Sequence, residues 1–361
     1  MLKTPLYDTH VRLGGKMVEF AGWSLPVSFA GINEEHVHTR TACSVFDVSH
    51  MGRLKLTGKD VPAFLDRICT RKLAPEPGRS FYSHVCREDG GILDDVIVSC
   101  GDGYWGIVCN GANRDKIVAW LKRQMAGRAV TLVDDTTATA MLAIQGPQAI
   151  PLAQERAGID LSGLKRYRFM VRNLFGIEVR VYRSGYTGED GLEVVLPAGA
   201  VNLLLPHLFG SADQPDPVVK PAGLGARDTL RIEAAMPLYG HELTEDWDSL
   251  TAGLAWCVDL TKDFIGAEAM RKIQARGLQK QLVGLELEGR RIARQHHEVL
   301  SGSEVVGEVT SGTLSPTLGK SIAMAFVPPP LAEVGTKLEV NLGRARAAAT
   351  VVKLPFYKRP G

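Results

Sequence analysis

Two adjacent carboxylates, Asp94 and Asp95, are residues of this sequence whose type could support acid, base or electrostatic chemistry. They follow a Gly-Gly turn on a segment that predicts a strand over residues 93–100. Neighbours on a strand point to opposite faces, so the two acids are not expected to share a proton as a dyad. One should face a cleft while the other faces solvent or caps a turn, and the apolar residues after them do not indicate which. Two plain surface or turn-bonded carboxylates are the alternative.

A glycine-rich segment, Arg183-Ser-Gly-Tyr-Thr-Gly-Glu-Asp-Gly-Leu-Glu193, could approach a ligand closely. Three glycines within seven residues permit positive φ and leave room for a bound molecule. Tyr186 could stack on a flat heterocycle, and Glu189, Asp190 and Glu193 offer acceptors for ring N–H groups. A carboxylate matches a guanidine-like edge such as that of a pterin. A plain hairpin turn is the alternative.

A third candidate lies at residues 221–228, Pro-Ala-Gly-Leu-Gly-Ala-Arg-Asp, just before a helix predicted over 228–235. Its Gly-x-Gly looks like part of a dinucleotide loop, but Asp228 stands where the third glycine belongs, so no nucleotide cofactor is expected. Arg227 could clamp a carboxylate, and Asp228 could cap the helix.

Other catalytic patterns are missing from the sequence. The pairs His36/His38 and His296/His297 lack helical ligand spacing, so we expect no metal site. There is no Walker loop and no Gly-x-Ser-x-Gly elbow. Six cysteines without a Cys-x-x-Cys pair predict free buried thiols in a reducing compartment.

Composition and charge narrow the class of protein. No apolar run approaches the ~20 residues of a membrane span, and the N-terminus does not resemble a signal peptide, so a cytoplasmic protein without a membrane partner is expected. From Arg271 onward, 14 Lys and Arg stand against 7 Glu and no Asp. This basic part favours an acidic partner, or is simply a solvated basic surface. No aromatic residues interleave the basic ones, so nucleic acid is not the expected partner.

The elements that must position these candidates change in type along the chain. Alternating strands and helices over about 52–135 predict a ferredoxin-like α+β unit, preceded by one strand predicted over 45–56. After residue 275, six short strands separated by Gly, Pro and Ser predict a small β-barrel. We therefore predict an α+β region over 1–275 and a C-terminal β-barrel domain over 280–357.

Seven collinear motifs, taken together, resemble one family. They are Thr4-Pro-Leu-Tyr7, Met17-Val-Glu-Phe-Ala-Gly-Trp23, Phe46-Asp-Val-Ser-His-Met51, Gly90-Gly-Ile-Leu-Asp-Asp95, Gly185-Tyr-Thr-Gly-Glu-Asp-Gly191, Gly223-Leu-Gly-Ala-Arg-Asp228 and Ser311-Gly-Thr-Leu-Ser-Pro-Thr-Leu-Gly-Lys320. The set resembles the glycine cleavage T-protein family of aminomethyltransferases, from residue 4 to about 357.

The resemblance implies a fold and a reaction. The fold would be a three-domain clover-leaf around a central folate channel. The reaction would move the methylene of an aminomethyl-lipoyl H-protein to tetrahydrofolate as co-substrate, releasing ammonia and giving 5,10-methylenetetrahydrofolate and dihydrolipoyl H-protein. The P-protein and L-protein would be indirect partners, and the basic C-terminal part would help to dock an acidic H-protein.

The resemblance also implies roles for individual residues. Asp95 would be catalytic, orienting folate and raising the nucleophilicity of its reacting nitrogen. Glu193 would bind the pterin edge, and Arg227 would hold the glutamyl or aminobenzoyl end. The remaining folate contacts would be Met51, Tyr82, Tyr186 and Asn110. No contact is assigned in the tail after Tyr357, and the loop Arg294–His297 matches the family only loosely.

Two other functions occur among similar proteins. Folate-dependent demethylases of small methylated compounds would reuse the folate channel without a lipoyl partner. Non-enzymatic folate-binding proteins of iron–sulfur assembly carry a Lys-Gly-Cys-Tyr-type motif, whereas this chain has Met236-Pro-Leu-Tyr239 in the comparable region. The full set of motifs, with Asp95, favours the aminomethyltransferase.

Overall fold

The computed structural model describes residues 1–174, 176–210 and 216–360. Its strands are β1 (Leu2–Lys3), β2 (Lys16–Phe20), β3 (Trp23–Ser28), β4 (Cys43–Asp47), β5 (Gly52–Thr57), β6 (Arg79–Cys86), β7 (Ile92–Cys100), β8 (Trp105–Cys109), β9 (Thr131–Asp134), β10 (Thr139–Gln145), β11 (Phe169–Leu174), β12 (Ile177–Tyr182), β13 (Gly191–Pro197), β14 (Val219–Pro221), β15 (Gln281–Leu287), β16 (Glu298–Ser301), β17 (Glu304–Leu314), β18 (Ser321–Val327), β19 (Lys337–Asn341) and β20 (Arg346–Val352). Its α-helices are α1 (Tyr7–Arg12), α2 (Ile32–Thr41), α3 (Val61–Ile68), α4 (Arg114–Gln124), α5 (Ala149–Ala157), α6 (Val201–Phe209), α7 (Leu224–Glu233) and α8 (Ala267–Arg276).

The strands form three open sheets and one barrel. The sheets have the orders β1-β3-β2, β11-β12-β13-β10-β4-β14 and β6-β7-β8-β5-β9, and the barrel closes in the order β15-β18-β17-β16-β19-β20. A mixture of helices and sheets with a closed C-terminal barrel confirms the predicted fold class at this level. The clover-leaf arrangement of domains stays a prediction.

The chain forms two compact units. Unit 1 consists of Met1–Pro62, Ala74–Phe81 and Ile97–Asp228, and unit 2 consists of Ala63–Leu73, Tyr82–Val96 and the chain from Thr229 onward. The predicted division of the chain near residues 275–280 stays a prediction.

The six-stranded sheet of unit 1 is built on β10. All seven residues of this strand, Thr139 to Gln145, are buried, with β13 paired on one side and β4 on the other. A strand with both neighbours paired and both faces covered reads as a continuous apolar run, which explains the sequence Ala-Met-Leu-Ala-Ile at its centre. The strand ends at Gln145, beneath the glycine-rich loop.

The five-stranded sheet follows the order of elements predicted for residues 52–135. Strand, helix, three strands, helix and strand succeed one another from β5 to β9, which is the ferredoxin-like order with one additional strand, β6. Helix α3 buries Phe64, Leu65 and Ile68 completely or nearly so. Their i, i+1 and i+4 positions form one apolar stripe of the helix.

The barrel of unit 2 follows from alternation along its strands. In β15, Val283, Leu285 and Leu287 are buried and belong to the barrel core, two residues apart as strand geometry requires. All six predicted strands occur, and β17 runs on to Leu314, four residues beyond its predicted end. Closure pairs every barrel strand on both sides, so the small domain has no open sheet edge.

Two predicted elements are wrong in their bounds. The single strand predicted over 45–56 is two strands, because β4 ends at Asp47 and the backbone N–H of Ser49 donates to the Asp47 carboxylate (2.9 Å), which makes a turn. Helix α7 begins at Leu224, four residues before its predicted start, so Asp228 lies inside the helix and is not its N-cap.

The two glycines of the 221–228 segment serve close packing of the chain. A Cβ on Gly223 would lie 2.4 Å from the Val27 backbone, and one on Gly225 would lie 2.6 Å from the Ile32 side chain. The Gly223 N–H donates to the buried Glu35 carboxylate at 2.8 Å. The packing of α7 against β3 and α2 therefore accounts for a pattern that looks like part of a dinucleotide loop.

Candidate functional site

The glycine-rich loop between β12 and β13 is held in place by the buried side chain of Gln145. The Gln145 amide donates to the carbonyls of Ser184 (3.1 Å) and Leu192 (3.3 Å), and its oxygen accepts from Thr187 Oγ1 (2.9 Å). A Cβ on Gly185 would lie 1.9 Å from that oxygen, so glycine is required there. The loop is thus fixed by protein contacts, which a plain hairpin turn would not need.

Arg40 fixes the other side of the same loop. Its Nη1 donates to the Thr187 carbonyl (2.6 Å) and pairs with the Glu189 carboxylate (2.9 Å), and both side chains are almost fully buried. Glu189 therefore has a structural partner inside unit 1. The Arg183 guanidinium pairs in the same way with Asp190 at 2.6 Å. Glu189 and Asp190 thus form ion pairs that stabilise the loop, whereas Glu193, the third acid of this segment, takes part in neither pair.

Tyr186 and Arg227 come together although they lie on different elements. The guanidinium carbon of Arg227, on α7, lies 4.8 Å from the centroid of the Tyr186 ring, a cation–π distance. Burial lowers the pKa of Arg227, and the nearby Glu193 carboxylate opposes this shift. The Nη1 atom of Arg227 is buried and has no hydrogen-bond partner in the described part of the chain. A buried donor without a partner indicates a place for a ligand acceptor.

Glu193 faces this pair from β13. It is half-buried and accepts a hydrogen bond from the Ser184 hydroxyl, which orients one of its oxygens. Its strand position is opposite Ala143 on one side and Tyr182 on the other, inside the sheet. Unit 1 therefore brings together an aromatic face, a guanidinium and a carboxylate.

His50 belongs to the same cluster, and sequence reasoning did not single it out. It is 4% exposed, its ring lies 5.5 Å from that of Phe20, and its Nδ1 has no hydrogen-bond partner in the residues described. Burial, together with repulsion from the Arg227 guanidinium, lowers the pKa of His50 to about 4. The only signal in the sequence was its place beside Met51 in one of the motifs.

Met51 and Asn110 stand at the ends of two paired strands, β5 and β8. The last pair of this ladder is Gly52 with Cys109, so Met51 and Asn110 continue it by one residue. A Cβ on Gly111 would lie 2.6 Å from the His50 carbonyl, which places Asn110 next to the His50–Met51 segment. Five of the six predicted binding residues thus lie in unit 1, around His50 and Arg227.

The two aspartates of β7 differ in exposure, as opposite faces of a strand predict. Asp94 is fully buried (0% exposed), whereas Asp95 is half-buried. The Tyr82 hydroxyl, on β6, donates to Asp95 Oδ2 at 3.1 Å. The sixth predicted binding residue, Tyr82, is therefore a partner of Asp95 within unit 2.

An aromatic residue that sequence reasoning missed, Trp256, packs against Tyr82, the partner of Asp95. The Trp256 ring stacks on the Tyr82 ring with a centroid distance of 5.4 Å and an interplanar angle of 24°. Trp256 remains 56% exposed, and the Arg71 guanidinium lies 5.6 Å from its ring centroid. Only one tryptophan among five is this exposed, and nothing in its local sequence indicates that it stacks on Tyr82.

The described ranges contain neither a metal-binding cluster nor a helix that could span a membrane. No group of three or more His, Cys, Asp or Glu side chains there could hold a metal ion. None of the helices in those ranges is long and apolar enough to cross a membrane. The six cysteines all lie in the described part, where they are buried and form no disulfide.

Two buried histidines predict a loss of stability in mild acid. Burial lowers the pKa of His50 to about 4 and that of His84 to about 3, whereas both titrate near 6.5 in the unfolded chain. Below pH ~6.5 the unfolded chain therefore binds protons that the folded protein does not. We expect the free energy of unfolding to fall by up to ~1.4 kcal/mol per pH unit for each histidine between pH ~6 and ~4.

Urea denaturation at pH 7.5, 6.0 and 5.0 measures this slope. His50→Gln and His84→Gln should each reduce the dependence of the unfolding free energy on pH. Each variant lacks an imidazole that binds a proton in the unfolded chain but not in the folded protein. His296→Gln, at a histidine whose side chain is 74% exposed, is the matched control and should leave the slope as it is. An unchanged slope in both buried variants would contradict the prediction.

Comparisons with known proteins agree along the whole chain. The family model "GCVT N-terminal domain" matches residues 6–262, and "Glycine cleavage T-protein C-terminal barrel domain" matches residues 280–358. An aminomethyltransferase of Rubrobacter xylanophilus is 46% identical over 99% of this chain and 94% of its own. One from Moorella thermoacetica is 42% identical over 99% and 98%. The crystal structure of the glycine cleavage system aminomethyltransferase T from Bartonella henselae superposes with a TM-score of 0.92 at 31% identity, covering 99% of this chain and 98% of that one.

Proposed function

Because this chain belongs to the glycine cleavage T-protein family and is an aminomethyltransferase of the glycine cleavage system, we propose that its acceptor is tetrahydrofolate and its donor the aminomethylated lipoyl arm of an H-protein. Two bonds form, from the methylene carbon to two folate nitrogens. The C–S bond to the lipoyl arm and the C–N bond to the amine break. The two folate N–H protons are accounted for in the thiol and in the ammonia released, so no oxidant is needed.

The buried, unpartnered Nη1 of Arg227 is the observation that carries this proposal. An arginine donor left without a partner needs an anionic or carbonyl acceptor from a ligand, and the glutamyl or aminobenzoyl end of folate offers both. The Tyr186 ring beside it supplies a flat face for the ligand, and the Glu193 carboxylate suits the guanidine-like edge of a pterin. Met51 and Asn110 would complete the binding surface of unit 1.

Asp95 is the acid that we propose to act on the reacting nitrogens. Its carboxylate is half-buried and already accepts one hydrogen bond from Tyr82, which restricts its orientation before folate binds. A carboxylate held in this way can orient the folate N–H groups and withdraw their protons as the new C–N bonds form. Asp94, on the other face of the strand and fully buried, is not available for this role.

An assay of ammonia release tests the function. The protein is mixed with tetrahydrofolate and aminomethyl-loaded H-protein, and ammonia and 5,10-methylenetetrahydrofolate are measured in equal amounts. Omitting tetrahydrofolate and using H-protein without its lipoyl group are the controls. A protein that releases no ammonia, or that instead demethylates sulfonium, amine or aromatic ether substrates, would overturn the proposal in favour of the demethylase alternative.

Arg227→Ala should weaken folate binding more than it slows the reaction. Hydrogen bonds to a charged group are worth about 1.5–3 kcal/mol, so the half-saturation concentration for tetrahydrofolate should rise about 10- to 100-fold, with a smaller change in maximal rate. Arg227→Lys keeps the charge but not the planar guanidinium, so its half-saturation concentration should lie between those of the unsubstituted protein and Arg227→Ala. Arg79→Ala, at an arginine of the same unit whose side chain is 39% exposed, is the control. A lower maximal rate at unchanged half-saturation would contradict the binding role.

A further inference from the structure

Asp95 is the end of a hydrogen-bonded chain that reaches into the core of unit 2. Ser249 Oγ lies 2.6 Å from His84 Nδ1, His84 Nε2 lies 3.3 Å from the Tyr82 hydroxyl, and that hydroxyl donates to Asp95 Oδ2 at 3.1 Å. Ser249 and His84 are both fully buried. Asp95 and Tyr82 have roles in the proposed function, whereas His84 and Ser249 have none.

The number of hydrogens on these side chains determines which group donates at each hydrogen bond when Tyr82 donates to Asp95. Burial lowers the pKa of His84 to about 3, so its imidazole is neutral at neutral pH and carries a single N–H. The Tyr82 hydroxyl has one hydrogen, and it uses this hydrogen to donate a hydrogen bond to Asp95. Its oxygen must therefore accept a hydrogen bond from His84 Nε2–H. Nδ1 is then the acceptor of that imidazole, and it takes the Ser249 hydroxyl proton. Every donor therefore points toward Asp95.

The Tyr82 ring is held in place by packing, so the direction of its O–H bond is what can change. His84 packs edge-on against it (5.4 Å, 77°), and Trp256 stacks on it (5.4 Å, 24°). The segment that carries Trp256 is anchored by Thr70 Oγ1, which donates to the Cys257 carbonyl at 2.9 Å. With its ring held, the tyrosine can direct its proton to Asp95 or to His84, depending on which imidazole nitrogen is protonated.

We propose that His84 and Ser249 are positioning residues that keep the Tyr82 hydroxyl donating its hydrogen bond to Asp95. This proposal rests on the proposed role of Asp95 in the aminomethyl transfer. As a donor to Nδ1, the Ser249 hydroxyl stabilises the imidazole tautomer that carries its hydrogen on Nε2. That tautomer makes Tyr82 a donor to the carboxylate. Without Ser249 the other tautomer becomes accessible, the Tyr82 hydroxyl can donate to His84 instead, and Asp95 loses the hydrogen bond from Tyr82.

A double-mutant cycle separates this role from a merely structural one. Ser249→Ala should lower the maximal rate of ammonia release roughly 10-fold, with little change in half-saturation for tetrahydrofolate, because orientation and not binding is lost. In a Tyr82→Phe background, which has no hydroxyl proton to direct, Ser249→Ala should cause no further loss. Ser249→Thr keeps the hydroxyl and should retain the rate, and Ser321→Ala, which removes a buried hydroxyl in the barrel, is the control. An equal loss in both backgrounds would overturn the proposal.

A spectroscopic readout keeps this proposal distinguishable from the proposed function. In protein labelled with ¹⁵N-histidine, the His84 resonances should report hydrogen on Nε2, and Ser249→Ala should move them toward the Nδ1–H tautomer. This measurement needs no substrate, so failure of the aminomethyl transfer would leave it standing. Hydrogen on Nδ1 of His84 in the unsubstituted protein would overturn the positioning role even where Asp95→Asn is inactive.

Discussion

Asp95→Asn should lower the maximal rate of tetrahydrofolate-dependent ammonia release by about 10²- to 10⁴-fold, the usual contribution of a positioned proton-transfer group. The amide has the shape of the carboxylate but neither its charge nor its basicity. It can still pair with Tyr82, so the fold and most of the folate binding should be kept. Steady-state rates over a range of tetrahydrofolate concentrations, with thermal denaturation of the same preparations, measure both parts of the prediction.

Asp94→Asn is the matched control, because the residue is adjacent and chemically identical. Asp94 is fully buried and engaged in contacts within the protein, so its replacement should lower the melting temperature while the rate per folded molecule falls much less. Equal rate losses from the two variants would show that the assignment of Asp95 is wrong. A loss confined to Asp94→Asn would move the catalytic role to the other face of β7.

Arg231→Met should be the most destabilising single change in unit 2. The Arg231 guanidinium pairs with Glu242 at 2.9 Å, with side chains only 1% and 0% exposed, and its Nη2 donates to Ser311 Oγ at 2.8 Å. Removing the arginine leaves a carboxylate buried without its counter-charge. Losses of this kind cost about 3–5 kcal/mol in the free energy of unfolding, measurable as a shift of the urea midpoint.

Glu242 has hydrogen-bond partners besides Arg231, and they determine how much stability a double substitution can recover. Glu242 also accepts from the Leu238 N–H (3.0 Å) and from the Thr310 hydroxyl, so Arg231→Met/Glu242→Met should recover part of the loss and not all of it. Arg346→Met breaks an exposed pair with Glu339 in the barrel and should cost under about 1 kcal/mol. Equal costs at Arg231 and Arg346 would mean that burial does not govern this ion pair.

Local features of the fold were predictable from sequence because they depend on near neighbours. Alternation of apolar residues, with glycines and prolines between runs, predicted all six barrel strands, whose cores are filled by residues two apart such as Val283 and Leu285. Bounds were less predictable where side chains redirect the backbone. The Asp47–Ser49 turn divides one predicted strand in two. Helix α7 starts at Leu224, in a segment whose glycines pack closely against Val27 and Ile32.

Seven motifs in a fixed order were enough to identify the family. The geometry of a strand was enough to predict that Asp94 and Asp95 face opposite ways. The folded protein was needed to show which of the two acids is buried and that the other accepts a hydrogen bond from Tyr82. It also brought His84 to Ser249, 165 residues further along the chain, and left Nη1 of Arg227 without a protein partner. The difference lies in the range of the interactions. Strand alternation is a property of adjacent residues, whereas burial and hydrogen-bond partners depend on packing between segments far apart in sequence.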